Sequence, residues 1–343
     1  MRIVLDAMGS DSCPDPEIQA AVEAARLFEG KILLVGPQEQ LQASLQTFEI
    51  PSSAIRIFPA PDVITMEDKG LKLALKAKRR NAQNSMAVGI DLVKNGEADA
   101  FVTAGNTGGA LASAYYRLGV IKGVERPGLT GLFPVKGGYC VVLDIGANPD
   151  CKPEHLVHFA IMGSVYAEII LGKNQPRIGL LSNAEEAGKG NQLVQDTFPL
   201  LETSGLNFIG NVEGKELFQG NADVVVTDGF TGNVLLKSTE AVAKLITDML
   251  RQELMRSTRT KMGALFAKPA FESIKKLIDP AEVGAAPLLG INGLVFIGHG
   301  RSDERALLNA IRVTRQAVSA GLLDALKAAI EERISKLSTQ VEK

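Results

Sequence analysis

Four short segments rich in Gly, Thr, Asn and Asp could hold an anion through their backbone amides. Each follows a short apolar run, and they span residues 8–11, 103–109, 144–148 and 227–233. Amides at the start of a helix favour phosphate-like groups, and glycine lets the backbone approach them closely. A single loop of this kind is equally typical of a plain tight turn. Four together predict an anion site.

The groups needed for other common chemistries are missing. The sequence contains no Gly-x-Ser-x-Gly elbow, no Gly-Lys-Ser/Thr phosphate loop and no Gly-x-Gly-x-x-Gly dinucleotide fingerprint. His155 and His158 lie three residues apart without a third ligand motif, so neither a metal site nor a cofactor is predicted.

Two single residues lie in loops that directly follow predicted strands, where active-site residues are expected. Lys189 lies between Gly188 and Gly190 after the apolar run 178–181, where its charge could oppose charge on a thioester oxygen. Taken alone, it is more typical of a solvated loop cation, and the neighbouring pair Glu185 and Glu186 is more typical of a solvated turn than of acid/base catalysis. His299 follows the run 294–297 and is flanked by glycines, which favours a role in the site.

These loops must be positioned by a regular framework. Short apolar runs recur at 3–5, 32–35, 55–58, 100–102, 140–143, 178–181, 208–209, 224–226 and 294–297, separated by longer amphipathic segments. The alternation predicts an α/β fold with a largely parallel sheet sandwiched by helices. Loops at the carboxyl ends of such strands are expected to gather in one crevice.

Composition excludes several classes of function. A net charge of −2 and the absence of Trp give no basis for nucleic-acid binding. Three scattered cysteines predict neither a disulfide framework nor a zinc site and fit a reducing cytosol. The sequence shows no signal peptide, and its longest uncharged stretch, 284–298, is too short to span a bilayer. We therefore expect a cytoplasmic protein.

Two regions carry local positive charge. The first comprises Lys72, Lys76, Lys78, Arg79 and Arg80 on and beyond one helix. The simplest interpretation is that these side chains are solvated surface charges. The second, 244–277, combines eight basic and three acidic residues with regularly spaced apolar ones. It predicts a protruding helical hairpin divided at Pro269. Residues 1–337 are interpreted as one domain ending in a helix at 303–337, and 338–343 as a polar tail.

An ordered series of motifs resembles the PlsX-type phosphate acyltransferases over nearly the whole chain. The series comprises Asp6-Ala7-Met8-Gly9, Ser85-Met86, Ala104-Gly105-Asn106-Thr107-Gly108, Asp144-Ile145-Gly146-Ala147-Asn148, Lys152-Pro153-Glu154-His155-Leu156, Gly163-Ser164-Val165-Tyr166, Lys189-Gly190-Asn191, Phe208-Ile209-Gly210-Asn211-Val212-Glu213-Gly214, Val226-Thr227-Asp228-Gly229-Phe230-Thr231-Gly232-Asn233 and Gly298-His299-Gly300-Arg301-Ser302-Asp303. Two segments depart from the family pattern. It usually reads Met-Gly-Gly-Asp-His-Ala-Pro where this chain has Met8-Gly9-Ser10-Asp11-Ser12-Cys13-Pro14, and Ala184 replaces a glycine.

The resemblance implies a fold similar to the isocitrate and isopropylmalate dehydrogenases, a homodimer, and transfer of an acyl group from acyl carrier protein to inorganic phosphate. On this interpretation Lys189, Asn233 and His299 act in catalysis. Phosphate and substrate contacts are expected from Asp11, Gly105, Asn106, Thr107, Gly108, Asn148, Asp228 and Thr231. The acidic carrier protein is expected to dock on Lys72, Lys76, Arg79 and Arg80, and the hairpin to contact the inner face of the cell membrane. The alternatives are an NAD-dependent decarboxylating dehydrogenase of similar fold and a non-catalytic acyl-carrier or membrane-surface binding protein.

Overall fold

A computed structural model describes residues 1–49, 54–79 and 81–341. In that part the chain forms eleven strands: β1 (Arg2–Asp6), β2 (Lys31–Gly36), β3 (Ile55–Pro59), β4 (Ala100–Thr103), β5 (Gly128–Val135), β6 (Gly138–Leu143), β7 (Ile178–Leu181), β8 (Phe208–Val212), β9 (Val224–Val226), β10 (Ala285–Leu289) and β11 (Val295–Gly298). They join in one sheet in the order β3-β2-β1-β4-β11-β10-β5-β6-β9-β7-β8. Every predicted apolar run coincides with a strand.

Thirteen helices in the same part of the chain surround the sheet. They are α1 (Asp15–Leu27), α2 (Gln38–Leu45), α3 (Gly70–Lys78), α4 (Ser85–Lys94), α5 (Thr107–Leu118), α6 (Pro153–Leu171), α7 (Gln192–Glu202), α8 (Gly214–Gln219), α9 (Gly229–Leu254), α10 (Thr258–Ile278), α11 (Pro280–Val283), α12 (Glu304–Ser319) and α13 (Leu322–Val341). One apolar layer packs α1, α6, α7, α12 and α13 on the sheet, and a second packs α4, α5, α8 and the start of α9 on its other face. The predicted sandwich of helices around a sheet is therefore confirmed.

The sheet reverses direction near its middle. Among the described strands, seven of the ten pairings are parallel, which confirms the largely parallel sheet. The other three are consecutive, because β10 runs antiparallel to both β11 and β5, and β5 antiparallel to β6. The carboxyl ends of β1, β4 and β11 therefore lie at one edge, and those of β6, β7 and β9 at the opposite edge. The loops predicted to gather in one crevice therefore come from opposite edges of the sheet.

Helix α6 crosses the core. Pro153 stands at its first turn, where a missing N–H costs no hydrogen bond, and Gly172 ends it in the left-handed conformation. It is the one described helix long and apolar enough to span a membrane, and 67% of that apolar stretch is buried inside the protein.

Two predicted helix boundaries are wrong. Pro269 lies inside α10, and the hairpin divides instead at Met255–Ser257, where the Ser257 hydroxyl accepts a hydrogen bond from the Thr260 amide and starts α10. The predicted helix at 303–337 is two helices, α12 and α13. They separate at Gly321, whose φ of 66° is a conformation that glycine adopts easily.

Candidate active site

The loops after β1 and β4 are pinned against each other. Thr103 donates a hydrogen bond from its hydroxyl to the buried Asp6 carboxylate at 2.8 Å and accepts one from the Gly105 amide at 2.9 Å. A side chain at Gly9 would lie 2.8 Å from the amide nitrogens of Ala104 and Gly105. Only glycine allows so close an approach, so the two loops form one surface.

The first turn of α5 offers exposed amides. The Asn106 side chain accepts a hydrogen bond from the Gly109 amide at 3.0 Å and donates to the carbonyls of Thr65 and Asp68. It therefore fastens the helix start to a neighbouring turn. Thr107 and Gly108 remain exposed in the first turn, where amides and the helix dipole favour an anion.

His299 lies beside these loops. The Asp11 amide donates to the Gly300 carbonyl at 2.7 Å, which ties the β1 loop to the β11 loop. The exposed His299 ring accepts a hydrogen bond from the Arg301 amide through Nδ1 at 3.4 Å. Partial burial and the charges of Arg301 and Lys237 lower the pKa of His299 below its usual 6.5, so the ring is mostly neutral at pH 7.

Two cations near His299 were not singled out from the sequence. The guanidinium of Arg301 lies 4.0 Å from the Glu240 carboxylate, and the Lys237 ammonium lies 3.4 Å from the same group. Asn233, Lys237 and Glu240 follow each other at i, i+4 and i+7 on one face of α9. That spacing, counted from Asn233, is the signal that could have identified Lys237.

At the opposite edge, Asp144 organises the loop after β6. Its buried carboxylate accepts hydrogen bonds from the amides of Leu129, Gly146, Ala147 and Asn148 and from the Asn148 side chain. Burial nevertheless raises the pKa of Asp144. The Asn148 side chain also donates to the Pro127 carbonyl, so it holds the loop together rather than facing a ligand.

The start of α9 packs onto this loop. Both Asp228 carboxylate oxygens are occupied by Thr231, one by its amide at 2.8 Å and one by its hydroxyl at 2.7 Å. Asp228 and Thr231 thus cap α9. Asn233 is exposed, and a side chain at Gly146 would lie 3.8 Å from its Cβ.

Lys189 stands apart from both groups. It lies in an exposed loop after β7, and in the described part of the chain its ammonium makes no hydrogen bond or ion pair. In the same loop, Glu185 pairs with Lys215 at 2.9 Å. The structure of one chain does not bring Lys189 into contact with Asn233 or His299.

Helix α9 joins the two edges. Its residue Asn233 adjoins the Asp144 loop, and Glu240 contacts the β11 loop through Arg301. At a rise of about 1.5 Å per residue, these positions are about 10 Å apart along the helix. Asp228, Thr231 and Asn233 therefore lie in or just before the first turns of α9, and the β11 loop that carries His299 contacts the helix through Glu240, about three turns from its start.

The predicted docking residues are partly neutralised. The buried Asp68 carboxylate pairs with the ammoniums of Lys76 at 2.6 Å and Lys72 at 2.9 Å. These bonds hold the pKa of Asp68 well below its usual range, with Lys76 contributing most. Arg79 follows α3 and is exposed, and Arg80 lies outside the described residues.

No group of three or more His, Cys, Asp or Glu in the described part of the chain could hold a metal ion. His155 instead helps to start α6, because its Nδ1 accepts the Lys152 amide at 3.1 Å while Nε2 contacts Glu125 at 3.1 Å.

Comparison with known proteins decides the family. Residues 1–324 match the model of a family described as fatty acid synthesis protein. The phosphate acyltransferase of Desulfitobacterium hafniense is 44% identical over 95% of this chain and 97% of its own length, and that of Geobacter sulfurreducens is 44% identical over 99% and 97%. The chain belongs to the PlsX-type phosphate acyltransferases.

Solved structures agree with this fold. EutD phosphotransacetylase from Staphylococcus aureus superposes with a TM-score of 0.60 at 16% identity, covering 93% of this chain and 94% of its own. The 4-hydroxythreonine-4-phosphate dehydrogenase from Klebsiella pneumoniae gives 0.54 at 14% identity, covering 93% and 99%. These similarities extend to the fold alone. The phosphate acyltransferase relatives, not the dehydrogenase-like fold, decide that this chain is an acyltransferase.

Proposed function

We propose that this phosphate acyltransferase transfers a fatty acyl group from acyl carrier protein to inorganic phosphate and releases an acyl phosphate for phospholipid synthesis. A phosphate oxygen attacks the thioester carbonyl, the tetrahedral oxyanion collapses, and the C–S bond breaks. The carrier thiolate leaves and takes up a proton.

The observation that carries this proposal is the arrangement along α9. The cations Arg301 and Lys237 and the neutral His299 lie at one end, beside the amide-rich loops after β1 and β4. Such donors can hold a phosphate dianion and oppose charge on the thioester oxygen without rearranging. Because Nδ1 accepts from the Arg301 amide, the neutral imidazole carries its proton on Nε2 and can donate a hydrogen bond to a phosphate oxygen.

The cysteines support direct attack by phosphate. Burial raises the pKa of Cys13 to about 11, and those of Cys140 and Cys151 to about 12. Thiols in this state are poor nucleophiles at neutral pH, so a covalent acyl-cysteine is not expected. A thioester is already activated and needs no such intermediate.

The decisive experiment incubates the purified protein with acyl carrier protein thioester and phosphate. Acyl phosphate should form together with free carrier thiol, and formation should depend on both substrates. Nicotinamide reduction would instead identify a dehydrogenase, and binding of the carrier without product would identify a non-catalytic protein.

We propose that the carrier protein docks near the C-terminal end of α3. Lys78 and Lys94 line a surface depression of about 330 Å³ together with Asp91, Asn95, Tyr116 and Arg117, where Asp91 pairs with Arg117 and leaves the two lysines as the excess charge. Their charges, unlike those of Lys72 and Lys76, are not paired with Asp68, and the exposed Leu71 and Leu75 add apolar surface. An acidic carrier protein complements this surface.

Reversing Lys78 and Lys94 to Glu should raise the KM for carrier-bound substrate at low salt, with a smaller effect at high salt and little change at saturation. Lys31→Glu, on an exposed lysine at the start of β2, is the matched control. An unaltered KM in the double variant would mean that the carrier docks elsewhere.

A further inference from the structure

A buried carboxyl group lies next to the loop after β1, which contacts both the loop after β4 and the loop after β11. Glu17, in the first turn of α1, is 0% exposed, and its Oε1 accepts a hydrogen bond from the Ser10 amide at 2.8 Å. A carboxyl is rarely buried unless its contacts hold it there. The sequence pattern gave Glu17 no role.

Three consecutive residues of this loop make three separate attachments. Gly9 packs on the amides of Ala104 and Gly105, the Ser10 amide binds Glu17, and the Asp11 amide binds the Gly300 carbonyl. The middle attachment is the one that comes from outside the site. The hydrogen bond between Glu17 and the Ser10 amide attaches the β1 loop to helix α1. Gly9 and Asp11 attach the loops after β4 and β11 to the β1 loop.

Two further polar atoms belong to this pair of residues. The Ser10 hydroxyl and Glu17 Oε2 are both buried, and the Ser10 side chain as well as its amide favours the ionised Glu17 carboxylate. Glu17 therefore meets the rest of the site through Ser10.

We propose that Glu17 is a positioning residue that sets the spacing between the amides of the β4 loop and the His299 loop by holding the Ser10 amide. This inference rests on the proposed function, because it assumes that phosphate binds between those loops. Without the carboxyl oxygen, the buried Ser10 N–H has no partner, and the loop must move to find one. A shift of about 1 Å in such a site can cost about 100-fold in rate.

The test compares Glu17→Val, which removes the acceptor, with Glu17→Gln, which keeps an acceptor oxygen in the same place. Glu17→Val should raise the KM for phosphate at least tenfold and leave the KM for the thioester within twofold. Glu17→Gln should restore the phosphate KM to near the wild-type value. Glu23→Val changes an exposed carboxylate on the same helix and should behave as wild type.

Circular dichroism and the melting temperature show whether each variant is folded. They therefore distinguish a loss of folding from a displacement of the loop in a folded protein. A folded Glu17→Val protein with a normal phosphate KM would overturn the proposal, and so would a Glu17→Gln variant as impaired as Glu17→Val. If Glu17→Val does not fold, Glu17→Met, which also lacks the acceptor oxygen but fills more of the buried space, takes its place in the comparison with Glu17→Gln. If wild-type protein makes no acyl phosphate, the proposed function fails, whereas a selective change in phosphate KM can arise only when that activity is present.

Discussion

At the scale of single residues, the site combines side chains that are free to contact a ligand with side chains that hold the loops in place. Asn106, Asn148, Asp228 and Thr231 were predicted as substrate contacts, yet their side chains make hydrogen bonds within the loops. Sequence identifies such residues as unusual but cannot separate the two roles, because a cap and a ligand contact need the same short polar side chain. His299, Lys237 and Arg301 instead stand exposed at the site.

Lys189 is expected to act in catalysis even though its ammonium makes no hydrogen bond or ion pair in the described part of its own chain. Lys189→Ala should lower turnover by about 10²–10³, the usual cost of one oxyanion contact, and leave the melting temperature unchanged. Steady-state acyl phosphate formation measures this, with Lys31→Ala as the control. Near-normal turnover would show that Lys189 is a solvated cation.

Glu17 also predicts a pH dependence of stability. Burial raises its pKa from 4.5 to about 7 in the folded protein, opposed by its hydrogen bond to Ser10 and reinforced by the nearby Asp6 charge. Asp11 and the largely protonated Cys13 lie in the same surroundings. Between pH 4.5 and 7 the unfolded chain gives up this proton while the folded chain keeps it, so the free energy of unfolding falls as pH rises.

Glu17→Gln lacks this titration. Its stability relative to wild type should therefore rise between pH 5 and pH 8, by up to roughly 3 kcal/mol from the size of the pKa shift. Urea unfolding of both proteins at the two pH values measures the change. Stability profiles that run parallel would mean that Glu17 is ionised in the folded protein throughout.

At the scale of elements, the strands found from sequence and those missed differ for a physical reason. Strands β1 and β9 contain continuous apolar runs buried by helices on both faces, which periodicity detects readily. Strands β5 and β10 contain Gly or Pro and look like loops. These two carry the antiparallel pairings, so missing them also hid the reversal of the sheet and the separation of the loops to opposite edges.

The contact between α9 and the Asp144 loop sets how closely the two edges approach. A methyl group at Gly232 would overlap the Asp144 carbonyl oxygen, so Gly232→Ala should destabilise the fold by about 3 kcal/mol through overpacking and should reduce activity. Gly263→Ala is the matched control, because it lies in the exposed part of α10 with nothing within 4 Å. It should stabilise by about 0.5–1 kcal/mol. Thermal unfolding compares the two, and equal effects would contradict the close packing.

At the scale of the whole molecule, the hairpin of α9 and α10 carries many of the exposed large apolar side chains among the described residues. Leu245, Ile246 and Met249 are exposed on α9, and Met262, Leu265 and Phe266 on α10, with Phe266 at 81%. Exposed apolar surface of this extent marks a contact with another molecule. A second copy of the chain and a membrane surface are the two candidates, and both fit a helix with apolar and basic faces.

We propose that the hairpin contacts the cytoplasmic membrane face, with Leu265 and Phe266 entering the headgroup boundary and Lys261 and Lys268 meeting anionic lipid. Lys275 and Lys276, which belong to the same basic set, have side chains outside the described part. Each cation near an anionic surface contributes about 1 kcal/mol, so Lys261→Gln with Lys268→Gln should weaken vesicle binding by roughly tenfold or more. Activity on soluble carrier-bound substrate should persist, because the residues along the first turns of α9 are untouched.

The measurement is co-sedimentation with vesicles that contain or lack anionic lipid, together with the oligomeric state by light scattering. Exposed lysines elsewhere, Lys31 and Lys122, changed to Gln provide the control, since they remove the same charge far from the hairpin in sequence. Wild-type protein that stays in the supernatant with anionic vesicles would rule out membrane contact. A Phe266→Asp variant that then becomes monomeric would assign the apolar face of the hairpin to a second copy of the chain, because a charge buried between two protein surfaces disrupts their association.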